Sequence, residues 1–193
     1  MSDKFRDVEK WRFERNQLTP LAWHNSSMDL YAAAAALEFS RKGAPADAIK
    51  KQFGFDASFD MAVIGSAQRM LFAMSLELLY KAISVATDGQ APPRSHNLIK
   101  LAMHVGLQVD PTESDALKLL THSIRWEGRY PIPLELEEFR QFHAALTVMS
   151  DPRPVHPTLR GRRPSTALDW SHCARLWNTA NALFEKREQE RQR

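Results

Sequence analysis

A chain of 193 residues, 44% hydrophobic and 25% charged, has the make-up of a folded globular domain and can bury one sizeable core. Its single cysteine, Cys173, excludes an internal disulfide and any multi-cysteine metal centre. The net charge of +3 is uneven: residues 1–150 hold 17 Lys+Arg against 18 Asp+Glu, and residues 151–193 hold 9 against 5, so the basic excess is C-terminal.

The first residues, MSDKFRDVEKWRFERNQ, alternate in charge and contain no apolar signal core, so a cytoplasmic protein is expected. Residues 4–17 predict a short amphipathic helix with Phe5, Val8 and Trp11 or Arg12 on successive turns, interrupted by Pro20. Asn25, Ser26 and Ser27 offer N-caps to a helix over residues 28–41. Its five alanines, Ala32 to Ala36, make a smooth face for close packing, with Leu30, Leu37 and Phe39 as bulk around it. Gly43 and Pro45 end that helix, and a short one follows through Phe53 to the stop at Gly54.

The stretch from Met61 to Ala86 organises the chain. It holds no proline and is apolar on nearly every face, broken mainly by Ser66, Gln68, Arg69, Ser75, Glu77, Lys81 and Ser84. A helix of about 39 Å with that pattern belongs inside a bundle. Arg69, Glu77 and Lys81 would be costly in a bilayer, so no membrane is expected. Met70 with Met74 reads as core.

After the breaker cluster DGQAPPR, Ser95 can cap a helix carrying Leu98, Leu101, Ala102 and Val105, closed by Gly106. Thr112 and Asp115 resemble the start of a capping box for a helix with Leu117, Leu120 and Ile124. Residues 125–133, RWEGRYPIP, are forced towards an extended path by Pro131 and Pro133. Leu134, Leu136, Phe139, Phe142 and Leu146 mark another amphipathic helix. Residues 150–165 hold four prolines and read as a basic surface loop. A last helix begins near Thr166, striped by Trp170, Cys173, Trp177, Ala180 and Phe184, and ends in charge near residue 190. The expected fold is therefore all-α: a single domain over residues 1–193, a bundle of four to five core helices (about 27–148) with extra N- and C-terminal helices.

Four groups of residues carry candidate chemistry. Glu77 and Lys81, at i and i+4, are either a structural ion pair or a polar site that receives Arg125 or His96. Arg125, Trp126, Arg129 and Tyr130 combine guanidinium groups that suit phosphates with rings that can stack on bases. The other reading makes them a buttress, with the aromatic rings at the core edge. Arg160, Arg162 and Arg163 are candidates for phosphate contact. His96 or His122 could act as acid or base, given a partner within hydrogen-bond reach. No glycine-rich phosphate loop, His-Glu-x-x-His pattern or Gly-x-Ser-x-Gly elbow is present, and neither a cofactor nor a metal is expected.

The helix Tyr31–Leu37, the run Leu76-Glu77-Leu-Leu-Tyr-Lys81-Ala82, the turn Ser95-His96-Asn97-Leu98-Ile-Lys-Leu101 and the segment Arg125–Pro131 together resemble the HEPN superfamily over roughly residues 27–133. The resemblance implies a helical bundle, frequently dimeric. Some members are metal-independent ribonucleases of toxin–antitoxin or phage-defence systems, and others bind nucleotides or a partner nucleotidyltransferase. The ribonuclease branch carries Arg-x(4–6)-His on one helix. None of His24, His96, His104, His122, His143, His156 and His172 has an arginine at that spacing, so no catalytic residue transfers.

The expectation is a non-catalytic HEPN-like module, a homodimer, binding RNA, a nucleotide or a protein partner. One alternative is a divergent metal-independent ribonuclease using Arg125 or Arg129 with His122 or His96. Another is a pure interaction protein whose dimer face is the alanine-rich helix, disrupted by Ala34→Glu.

Overall fold

The computed structural model describes residues 3–41, 43–54, 65–127, 130, 132–156, 159–164 and 168–193, and the side chains among them except those of 3–6 and 150–164. The packed body is all-α, with eight helices among the described residues: α1 (Asp3–Gln17), α2 (Pro20–Ser40), α3 (Gly43–Phe53), α4 (Gly65–Asp88), α5 (Leu98–His104), α6 (Pro111–His122), α7 (Leu136–Val148) and α8 (Trp170–Arg191). A π-helical turn, Ser123–Glu127, extends α6.

α4 is the axis. Every residue from Leu79 to Ala86 is buried, including Lys81 and Ser84. Gly89, at φ +65°, ends the helix in the left-handed conformation, and its N–H closes back on the Val85 carbonyl at 3.0 Å. The helix is long and apolar enough to cross a membrane, yet most of that stretch is already covered by the protein's own side chains. The first four residues of the expected helix, 61–64, lie outside the described residues.

α2 runs antiparallel to α4. The Ser27 hydroxyl donates to the Ser75 carbonyl at 2.7 Å, and nearer the other end the Gln68 amide donates to Glu38 at 3.0 Å. Arg41 joins that network, donating to Gln68 at 2.8 Å and to Glu38 at 3.0 Å. α8 runs alongside on another face, with Cys173, Trp177, Ala180 and Phe184 all buried. Tyr31 of α2 stacks on Trp177 at 4.4 Å and on Trp170 at 5.4 Å, which locks α2 and α8 together over Phe72. The indole of Trp177 donates to the Ser27 hydroxyl at 3.3 Å, so one serine ties three helices. α5, α6 and the π-helical turn cover α4 elsewhere, placing Leu98, Leu101, Leu117, Leu120 and Ile124 in the same core. A satellite cluster of Ala116, Leu119, Trp126, Phe142 and Met149 fastens α7.

Local signals differ from the sequence reading in five places, one of them residues 125–127, expected as extended and wound instead into the π-helical turn. α2 begins at Pro20 rather than near residue 28: proline occupies its first turn, where the missing N–H costs nothing, and Ser27 spends its hydroxyl on Ser75 instead of capping. α5 is capped by Asn97, which accepts from the Lys100 N–H at 3.0 Å, while Ser95 accepts from the Asn97 N–H. The capping box of α6 is Asp110 with Glu113, two residues earlier than expected. The proline-rich segment, expected as a loop, pairs as an antiparallel ribbon of β1 (Ser150–His156) and β2 (Leu159–Pro164). Prolines are tolerated there because a two-stranded ribbon is all edge.

The alanine run is not a uniform outer face. Ala34 is fully buried against α4, whereas Ala32, Ala33 and Ala36 are exposed. Ala34→Glu therefore tests core packing rather than assembly. It is expected to abolish the folded state, while Ala33→Glu stays within about 0.5 kcal/mol of the parent. Leu79→Ala is expected to cost about 3 kcal/mol. Urea unfolding followed by circular dichroism measures all three.

Candidate functional site

α4 is left partly open on one side between α5 and α7. Met70, Met74, Glu77 and Leu78 recur there at helical spacing and form the floor of a cleft of about 810 Å³. His96, from the turn before α5, stands at its margin, and Ile124 and Arg125 enter from the π-helical turn. Glu135, Glu138 and Gln141 close the side formed by α7. The π-helical turn matters for this arrangement. It carries two neighbouring residues with different surroundings, Arg125 lining the cleft and Trp126 in the satellite core.

Three residues singled out in the sequence, Glu77, His96 and Arg125, thus share one site. Glu77 is buried, and its carboxylate accepts from the Lys81 ammonium at 2.6 Å and from His96 Nδ1 at 3.0 and 3.1 Å. Lys81 lies behind it, with its ammonium 5.9 Å from the centre of the Trp23 ring. The imidazole of His96 is 65% exposed. Arg125 lies 3.6 Å from the Glu138 carboxylate. Among the described lining groups, Glu77, Glu135 and Glu138 oppose Arg125, and with Lys81 behind Glu77 one negative charge remains.

The remaining candidates are elsewhere. Trp126 is buried, edge-on to Phe142 at 4.7 Å, and serves as a buttress rather than a platform for bases. Tyr130 is exposed, its N–H bonded to the Trp126 carbonyl at 2.9 Å. Arg129 lies outside the described residues. Arg160, Arg162 and Arg163 are placed on β2, at register positions opposite Pro154, Pro152 and Asp151, and their side chains lie outside the described set. Glu127 is bound by the Arg69 guanidinium and by the Ser123 hydroxyl, which anchors the π-helical turn to α4.

His122 lines a separate hollow of about 340 Å³ beside Asp115, Lys118 and Gln141. Its ring meets Phe142 edge-on at 6.0 Å, and Nδ1 is buried with no hydrogen-bond partner among the described residues. Burial is the main influence on this imidazole and lowers its pKa; Arg125 adds to the shift, and Glu138 and Glu127 oppose it.

Sequence reasoning missed the floor and the α7 side of the cleft. Periodicity places Met70 and Met74 on an apolar face, and Met74 does pack partly buried against the main core, but periodicity cannot show that both also line an open cleft. Glu135 and Glu138 had a visible signal in the run Glu135-Leu-Glu-Glu-Phe139, whose carboxylates crowd the start of α7. No group of His, Cys, Asp and Glu among the described residues is arranged to hold a metal ion. Comparison of the chain with known protein families, characterised proteins and solved structures gives no match.

The Glu77–Lys81 pair is expected to behave as a buried ion pair. Glu77→Leu alone costs about 3 kcal/mol by stranding Lys81, and adding Lys81→Met restores most of that loss, as measured by urea unfolding. His122 gives a pH signature. Between its lowered folded pKa and about 6.5, the unfolded chain holds a proton that the folded chain does not, so stability falls as pH drops through that window. The urea midpoint is expected to decline between pH 7.5 and 5.5, and His122→Leu is expected to flatten that decline.

Proposed function

We propose that this protein is a non-catalytic helical binding module of HEPN-like type whose α4–α7 cleft docks a segment of a partner protein. The observation that carries the proposal is the chemistry of the cleft, an apolar floor with two methionines beside a carboxylate margin. Methionine side chains adapt to varied apolar surfaces, and carboxylates select basic flanks. The segment that supplies Glu135 and Glu138 also leaves Ile132, Leu134, Leu136 and Phe139 exposed, which extends apolar surface beyond what a small ligand covers.

A polyanion is disfavoured at a cleft whose described lining is net negative. RNA contact, the other expected function, belongs more naturally to the arginines of β2. Ribonuclease chemistry with Arg125 is the weaker alternative, because His96 is engaged by Glu77 and His122 lines a different hollow.

A labelled synthetic Leu/Lys amphipathic helix, titrated by fluorescence anisotropy, is expected to bind and to lose roughly tenfold in affinity with Met74→Glu. A mixed RNA pool incubated without metal is expected to stay intact. RNA cleavage that disappears in Arg125→Ala would replace docking with nuclease activity.

A further inference from the structure

The polar groups that line the cleft differ in what each has left to offer. The donor side chains already meet carboxylates: Arg125 lies beside Glu138, and the Gln141 amide donates to Glu137 at 3.2 Å. Glu77 is taken up as well, with Lys81 and His96 on its oxygens and only 8% of its side chain exposed. Among the described lining groups, two acceptors remain. Glu135 stands exposed before the first turn of α7 without capping it, and its carboxylate pairs with no described side chain. The other is Nε2 of His96, across the ring from the bond to Glu77 and without a partner among the described residues.

The ring of His96 has its proton assigned by Glu77. A carboxylate only accepts, so the proton in their contact sits on Nδ1, and a neutral imidazole then carries its lone pair on Nε2. The contact reaches both oxygens of Glu77, at 3.0 and 3.1 Å, and Lys81 holds the same carboxylate from one turn along α4. A buried carboxylate thus orients a largely exposed ring beside the apolar floor of Met70 and Met74.

We infer that His96 is the specificity-determining residue of the cleft, its Nε2 accepting an N–H from a lysine ammonium of the docked segment. This role rests on the protein-docking reading of the cleft and names the group that reads the partner. An ammonium suits this acceptor better than a guanidinium does. One lone pair on one nitrogen matches a point donor, whereas a guanidinium fork matches the two oxygens of a carboxylate. Glu135 attracts any cation, so charge alone does not tell a lysine from a methylated one; the hydrogen bond does.

The test compares the synthetic Leu/Lys helix with the same peptide trimethylated at every lysine, which keeps each positive charge and removes each ammonium N–H. Fluorescence anisotropy with the wild-type chain is expected to show binding weakened roughly tenfold by trimethylation. His96→Phe keeps an aromatic ring at the margin but has no acceptor, and it is expected to bind both peptides with the weaker affinity. Glu77 retains Lys81 in that variant, and circular dichroism checks its fold. Nitrogen NMR of the wild-type imidazole at about pH 8, where an ordinary histidine is neutral, reads the tautomer without any substitution. The expected signature is a protonated Nδ1 and a bare Nε2, the reverse of the tautomer that free histidine favours. A proton on Nε2, equal affinity for the two peptides, or a methylation penalty that persists in His96→Phe would each overturn the inference while docking stands. A wild-type cleft that binds neither peptide would remove the docking role and the inference with it.

Discussion

A helix covered over most of its surface has to satisfy its polar side chains inside the protein, and that constraint on α4 shapes everything around it. Glu77 and Lys81 neutralise each other one turn apart, and His96 completes the carboxylate from the next segment. Ser75 returns its hydroxyl to the Phe72 carbonyl at 2.7 Å, while its own carbonyl receives Ser27. Ser84 donates to Asp88 at 3.2 Å and lies 3.1 Å from His104 Nε2. Three of these contacts reach a neighbour: α2 through Ser27, the approach to α5 through His96, and the end of α5 through His104. The polar breaks in an otherwise apolar helix are therefore the pegs that set where the surrounding helices lie.

The class of fold was legible because it follows from periodicity. The stripe from Trp170 to Phe184 and the all-round apolarity of residues 65–86 have only one economical burial. The ends of elements were less legible, since several residues suit more than one end. Ser27 has the chemistry of a cap, but its tertiary bond to Ser75 outweighs that local use. Thr112 with Asp115 and Asp110 with Glu113 are both plausible boxes, and Pro111 at the first helical position decides between them. The ribbon at 150–164 escaped notice because its strands are rich in proline and arginine rather than alternating in polarity.

The site was half legible. Charged residues stand out in an apolar run, so Glu77 is legible as a polar position that needs a partner such as His96 or Arg125. The structure supplies His96 as the contact and places Arg125 in the same cleft on the charge of Glu138. Trp126 went the other way, because a sequence cannot say which of two adjacent residues a π-helical turn directs inward. The floor was illegible in principle. Whether an apolar helical face is core or groove depends on the distance to the next helix, which no single segment encodes.

The enclosure of α4 also has a consequence during synthesis. Its covers come from both sides in sequence: α2 precedes it, but α8, which supplies Trp177, Ala180 and Phe184, is made last. At about 5–20 residues per second, the nascent chain carries an apolar helix of membrane-spanning length, uncovered on its α8 side, for roughly 5 to 20 s before that cover is made. During that interval part of α4's apolar surface lacks its final cover. Burial of the α8 residues is the event that ends this exposure and commits the helix to a globular fold.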